Sequence, residues 1–148
     1  MRQALSLARE ALATGSGGPF GAVVVRGDAV IGSGRNRVLE TGDPTAHAEM
    51  EAIREACRRQ GTFALDGALI YTSCEPCPMC LGAIYWARLD RIFYAASRDD
   101  AAAAGFDDRF IHEEMVRTDR RLPADQILRE AALPALRRWA ADAGRTRY

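Results

Sequence analysis

Two short segments carry side chains whose types and spacing could do chemistry: Thr45-Ala46-His47-Ala48-Glu49 and Ser73-Cys74-Glu75-Pro76-Cys77-Pro78-Met79-Cys80. Cys77 and Cys80 stand three apart at the start of an expected helix, so they share one face, and the partial positive charge of a helix N-terminus favours their thiolates. The neutral imidazole of His47 would complete a set of two sulfurs and one nitrogen suited to zinc. Three protein ligands leave one tetrahedral position open, which is the arrangement of a catalytic site. Two thiolates also cancel the formal charge of the ion, so a neighbouring base becomes useful, and Glu49 can be that base. A spacing of two turns a helix by about 200°, so His47 and Glu49 converge only at the helix tip. The ion is therefore expected off the N-terminal end.

Each residue alone has a plainer reading: His47 as a capping or core histidine, Glu49 as a first-turn carboxylate. Their coincidence with Pro-Cys-x-x-Cys matches the pattern that zinc deaminases share. Three rivals stand beside it. Cys74 could close the site as a fourth ligand, making a structural Cys3His zinc in a non-enzymatic domain. The Cys74, Cys77, Cys80 run could belong to an iron-sulfur centre, but position 84 is Ile where a fourth Cys would fall. A dithiol could act in redox chemistry.

The elements that must position these residues follow from the pattern. Apolar residues from Ala4 to Leu12 keep helical spacing until the Gly15 to Pro19 stretch. Phe20 to Arg26 and Ala29 to Ser33, joined by Gly27-Asp28, read as an antiparallel hairpin. Asp43-Pro44-Thr45 offers a cap for a helix reaching about Gln60, with Met50, Ile53 and Cys57 in one stripe. Glu51, Arg54, Glu55, Arg58 and Arg59 read as its solvated face. Ala68 to Thr72, Pro78 to Arg88 and Ile92 to Ala95 form a strand, helix, strand crossover, hence a parallel pair in a sheet covered on both faces. Asp99 to Gly105 reads as a short helix, Phe106 to Asp108 as a loop, and Pro134 to Ala143 as a last helix with Leu136 and Trp139 inward. His112 reads as a surface residue.

Composition sets the limits. The 148 residues carry 20 basic and 20 acidic side chains and 48% apolar content, which points to one neutral domain able to build a core without disulfides or a structural metal. Lysine is absent, which excludes a phosphate-loop lysine and a Schiff-base lysine. Neutrality argues against nucleic acid and for a small substrate. No apolar run approaches the roughly 18 residues of a membrane span, so a cytoplasmic location is expected.

The two motifs resemble the zinc-dependent cytidine deaminase superfamily, and longer stretches resemble the bacterial guanine deaminases within it. The likeness rests on GGPFGAVVV at 17 to 25, DPTAHAE at 43 to 49, YTSCEPCPMCLGAIYWAR at 71 to 88, FYAA at 93 to 96 and AGFDD at 104 to 108. It implies an α/β fold, a three-layer α/β/α sandwich around a five-stranded mixed sheet. It implies zinc on His47, Cys77 and Cys80, Glu49 as proton shuttle, and hydrolytic deamination of guanine to xanthine and ammonia. It further implies Asp108 as a second proton carrier, and Asn36, Phe20, Ala48, Trp86 and Tyr148 as substrate-binding residues. Homodimers are implied in which residues 117 to 148 cross to the partner and Tyr148 closes the neighbouring pocket. Another base, such as tRNA adenosine, cytosine or a triazine, remains the alternative substrate.

Overall fold

Glycines on the strands and alanines on the helices decide where the elements of this fold touch. The computed structural model describes residues 1–119 and 121–146. Strand β1 (Gly21–Arg26) pairs antiparallel with β2 (Ala29–Arg35) through the expected two-residue turn, where Gly27 takes a positive φ of 58°. β1 also pairs antiparallel with β3 (Ala68–Cys74), and β3 runs parallel to β4 (Arg91–Ala96), giving the order β2-β1-β3-β4.

Helix α1 (Arg2–Thr14) lies so close to β1 that a Cβ on Gly21 would sit 2.2 Å from the Ala4 carbonyl oxygen. Helix α3 (Ala48–Gln60), which follows the single turn α2 (Val38–Thr41), lies equally close to β2. A Cβ on Gly34 would fall 2.3 Å from the Ala48 oxygen, and one on Gly32 2.3 Å from the Ala52 oxygen. Gly21 is opposite Arg35 and Gly34 opposite Ala22, so the two contact points project from opposite sides of the pleat. α1 and α3 therefore cover opposite faces. The crossover helix α4 (Pro78–Trp86) joins α3, where Ile84 packs in one cluster with Val24, Ala52, Ile53 and Ile70. Helices α5 (Arg98–Ala103), α6 (Arg109–Val116) and α7 (Arg129–Ala141) complete the chain.

The three-layer arrangement and the parallel crossover match expectation, with four differences. The sheet has four strands among the described residues instead of five: beyond β4 the chain turns into α5 and α6, and residues 117 to 128 lack the alternating apolar pattern of a strand. Asp43 does not cap α3. Its carboxylate accepts from the Thr45 N–H and hydroxyl at 2.7 Å, closing a local turn, and His47 is the N-cap. α7 starts at Arg129 and encloses Pro134. Leu136 and Trp139 do not point into this chain's core; they are 64% and 49% exposed. The charged face of α3 forms the expected ion pairs, Arg54 with Glu51 and Arg59 with Glu55.

Candidate active site

Two helix N-termini meet at one point. His47 caps α3 and Cys77 caps α4, both with extended backbones and neither with its side chain spent on the helix it begins. Pro78 occupies the first turn of α4, where a missing N–H costs nothing. Hydrogen bonds anchor the strand end ahead of it: Thr72 Oγ1 donates to the Cys74 carbonyl at 2.6 Å, the Gly21 N–H donates to Ser73 Oγ at 3.0 Å, and the Glu75 N–H donates to the Ala96 carbonyl at 2.9 Å.

His47 Nδ1 then lies 3.6 Å from the Sγ of both Cys77 and Cys80. Tetrahedral zinc with a Zn–S bond of ~2.3 Å and a Zn–N bond of ~2.05 Å requires a nitrogen-to-sulfur separation of about 3.6 Å. The donor set thus has the dimensions of zinc ligation, and its three atoms all lie within 4.8 Å of one another. Cys74 is not in the group. Its thiol faces the Ser97 carbonyl at 3.5 Å and burial pushes it up to about 11, so the closed four-ligand site is not formed.

The two sulfurs are unequal, which the helix-terminus argument alone does not foresee. The Cys80 thiol donates to Cys77 and, with His47, holds Cys77 down to about 4; that donation and burial push Cys80 up. His47 is raised, chiefly by its bond to Cys77. The site thus holds protons that a divalent ion would displace. Glu49 is 7% exposed, and burial holds its carboxyl above the usual range, with Cys77 and His47 its charged neighbours. This is the kind of environment in which a carboxyl can carry a proton near neutral pH.

A cavity of about 750 Å³ opens over these groups, lined by His47, Glu49 and Cys77 at its floor. Asn36 is 5% exposed and reaches the wall; its Oδ1 accepts from the Val38 N–H at 3.2 Å, which leaves its NH2 for a ligand. Gly17 makes room for it, since a Cβ there would lie 1.9 Å from Asn36 Oδ1. Phe20 lines the cavity edge-on to Phe106, ring centroids 4.9 Å apart. On the far rim stand Asp107, Asp108 and Arg98. Arg98 grips Glu75 with its backbone N–H, Nε and Nη2, which ties the loop ahead of α4 to the start of α5.

Among the residues picked from the sequence, His47, Cys77, Glu49, Asn36, Phe20 and Asp108 line one cavity, with Cys80 just beneath. Trp86 does not join them. It ends α4 and is 65% exposed, because nine residues of helix carry it roughly 13 Å from Cys77. Ala48 is buried under Gly34, its side chain in the core. Tyr148 lies outside the described residues. His112 is not a free surface residue: it is half-buried, with Nε2 3.4 Å from Asp108 Oδ2. Phe106 was given no role by sequence reasoning, although it sits in the AGFDD stretch; its contact with Phe20 spans most of the chain.

The cytidine and deoxycytidylate deaminase zinc-binding region matches residues 1–96. The guanine deaminase of Bacillus subtilis is 49% identical over 150 residues, spanning 100% of this chain and 96% of that protein. Its X-ray structure superposes with a TM-score of 0.95 over 99% of this chain and 95% of its own. The guanine deaminase of Nitrosomonas europaea superposes with a TM-score of 0.66 at 34% identity, over 82% of this chain and 64% of its own. A tRNA-specific adenosine deaminase from Aquifex aeolicus is 45% identical over 78 residues, 53% of this chain and 52% of that protein.

Proposed function

The chain belongs to the cytidine and deoxycytidylate deaminase zinc-binding family, and from that premise we propose that it hydrolyses guanine to xanthine and ammonia, with one zinc ion on His47, Cys77 and Cys80. The observation that carries the chemistry is the buried Glu49 beside a three-ligand donor set, at the floor of a cavity of purine-accommodating size. The full-length likeness to the guanine deaminase of Bacillus subtilis carries the substrate.

Bound zinc supplies the Lewis acidity that makes water a nucleophile near neutral pH. Glu49 takes the proton from the attacking water and delivers it to ring N3 as the new C2–O bond forms. It then takes the proton of the new C2 hydroxyl and delivers it to the exocyclic nitrogen, so that the C2–N bond breaks, the C2 carbonyl of xanthine forms and ammonia leaves. A carboxylate in this role is worth about 10² to 10⁴ in rate. Asp108 accepts from the N1–H and amine donors of the purine, and the Asn36 NH2 donates to an acceptor on the opposite edge. Phe20 and Phe106, packed edge-on against each other, form one apolar wall beside the base and exclude water.

We propose further that the chain is one domain acting as a homodimer in which residues 117 to 148 cross to the partner, with Tyr148, which lies outside the described residues, closing its pocket. Support comes from α6 and α7, neither of which has a buried residue in the single chain. Among the described residues no helix is long and apolar enough to cross a membrane. The deciding assay is ammonia release by zinc-loaded protein from guanine, guanosine, cytosine, adenosine and tRNA. Guanine is expected to dominate, and Glu49→Ala to lose at least ~10²-fold while keeping its zinc. Turnover of cytosine or tRNA without guanine would replace the substrate.

A further inference from the structure

The two neighbouring acids of the far rim are used differently. Asp107 is consumed by Arg109, accepting its backbone N–H at 3.0 Å, its Nε at 2.9 Å and its Nη2 at 2.6 Å. Asp108 is the N-cap of α6 yet makes no side-chain capping bond, so its carboxylate is not spent on the helix. It lines the cavity with 22% of its side chain exposed. One turn further along α6, His112 presents Nε2 to Asp108 Oδ2 at 3.4 Å. That nitrogen is closed off from solvent and has no completed hydrogen bond. The separation is just beyond the 2.7 to 3.2 Å of a normal N–H···O bond, so the two groups stand beside each other with the bond not yet made.

We propose that His112 is a positioning residue for the deamination: its Nε2–H donates to Asp108 Oδ2, fixing the carboxylate so that its other oxygen meets the purine N–H donors. The proposal rests on the reading above in which Asp108 receives the substrate. A restraint matters here because a cation of the same cavity also acts on the carboxylate. Arg98, held by Glu75 from the loop ahead of α4, attracts Asp108 electrostatically. Without the imidazole no side-chain bond holds the carboxylate against that attraction. His112 balances the pull from within α6, and it does so in either protonation state that keeps a proton on Nε2. Bonds of this kind are commonly long in the free enzyme and shorten once substrate is bound.

Replacing the ring by one of similar bulk without a donor, His112→Phe, is expected to lower kcat/KM for guanine about ten-fold, raising KM as well as lowering kcat, with zinc content unchanged. His112→Gln, which keeps an N–H at similar reach, should stay within about three-fold of the parent. In the Asp108→Asn background the further change to Phe should cost nothing, because the coupling partner is gone. Full activity of His112→Phe, failure of the Gln variant to rescue, or an undiminished loss in the Asp108→Asn background would each overturn the proposal. A readout independent of turnover separates this from the substrate reading. His112 is the one histidine besides His47, so its imidazole ¹⁵N resonances can be followed in the zinc-loaded protein. They should move in Asp108→Asn; if they do not, the contact does not exist and the proposal fails even if guanine is turned over. If guanine proves not to be the substrate while the resonances move, the substrate reading falls and the same three variants are measured with the base that is turned over.

Discussion

Helices α3 and α7 are each thirteen residues long, and their fates are opposite. α3 is poor in large apolar residues, yet Ala48, Glu49, Ala52, Ile53 and Ala56 are buried along one face. α7 carries Leu133, Leu136 and Trp139 and has no buried residue. Side-chain hydrophobicity therefore does not rank the two. What separates them is a complementary surface: β2 offers Gly32 and Gly34 where α3 offers Ala52 and Ala48, so backbone meets backbone. Among the described residues, α7 has large side chains and no strand glycine set against its backbone. The zinc ligand His47 and the buried Glu49 belong to the helix whose docking is complete, while the segment expected to close the pocket belongs to the other.

The sharpest way to break this contrast is Gly34→Val. A Cβ at 34 would lie 2.3 Å from the Ala48 oxygen and 2.6 Å from the Ala52 nitrogen, both backbone atoms that cannot swing aside. Overpacking of this sort costs about 1 to 3 kcal/mol, and the upper end applies where the neighbour is backbone. Because Ala48 sits between His47 and Glu49, the displaced helix should also lower zinc content and turnover. Denaturant midpoints together with bound zinc measure both. An unchanged midpoint with full zinc would show that α3 is not held by close approach.

A smaller effect, of opposite kind, is expected from Leu136→Ser combined with Trp139→Ser. If a second copy covers α7, these changes should shift the protein toward monomer and lower guanine turnover several-fold, while zinc content stays full. The unfolding midpoint of the dilute chain should barely respond, as for exposed sites generally. Sedimentation as a function of concentration reads the first effect. An unaltered dimer, or a parent protein that is monomeric throughout, removes the second copy as the cover for α7.

These two regions also mark how far the sequence could be read. His47, Cys77, Cys80 and Glu49 are legible because their donor types, their spacing and Pro78 all describe the start of a helix. The hairpin and crossover are legible because turn residues and β-branched runs are local signals. The failures are long-range or local in a misleading way. Asp43 has the chemistry of a helix cap, but its carboxylate is taken two residues on by Thr45. Trp86 is close to Cys80 in the sequence, and the helix rise carries it off. His112 has no neighbouring motif, so only the folding of α6 across the cavity discloses its place beside Asp108. The amphipathic pattern of α7 announces a helix with a face to bury and carries no information on which surface receives it.

The seam between the two regions supplies the mildest test. Glu75 belongs to the loop that leads into the zinc ligands, and Arg98 begins the helices of the rim. Arg98 holds the Glu75 carboxyl below the usual carboxylate range, mainly through their side-chain hydrogen bonds. A depressed folded value means that the pair contributes stability above the unfolded value of about 4.3 and loses it as pH falls through the folded value. Glu75→Gln should therefore lower stability near pH 7 only modestly, because Arg98 is partly solvated. The gap between the two proteins should close as pH drops below ~4.3. Urea midpoints across that interval measure it, and a gap that persists to pH 2 would mean the carboxylate charge is not what joins the loop to α5. If zinc content stays full in Glu75→Gln while KM for guanine rises, the pair acts on the rim alone, and the metal centre is specified entirely by the docked helices α3 and α4.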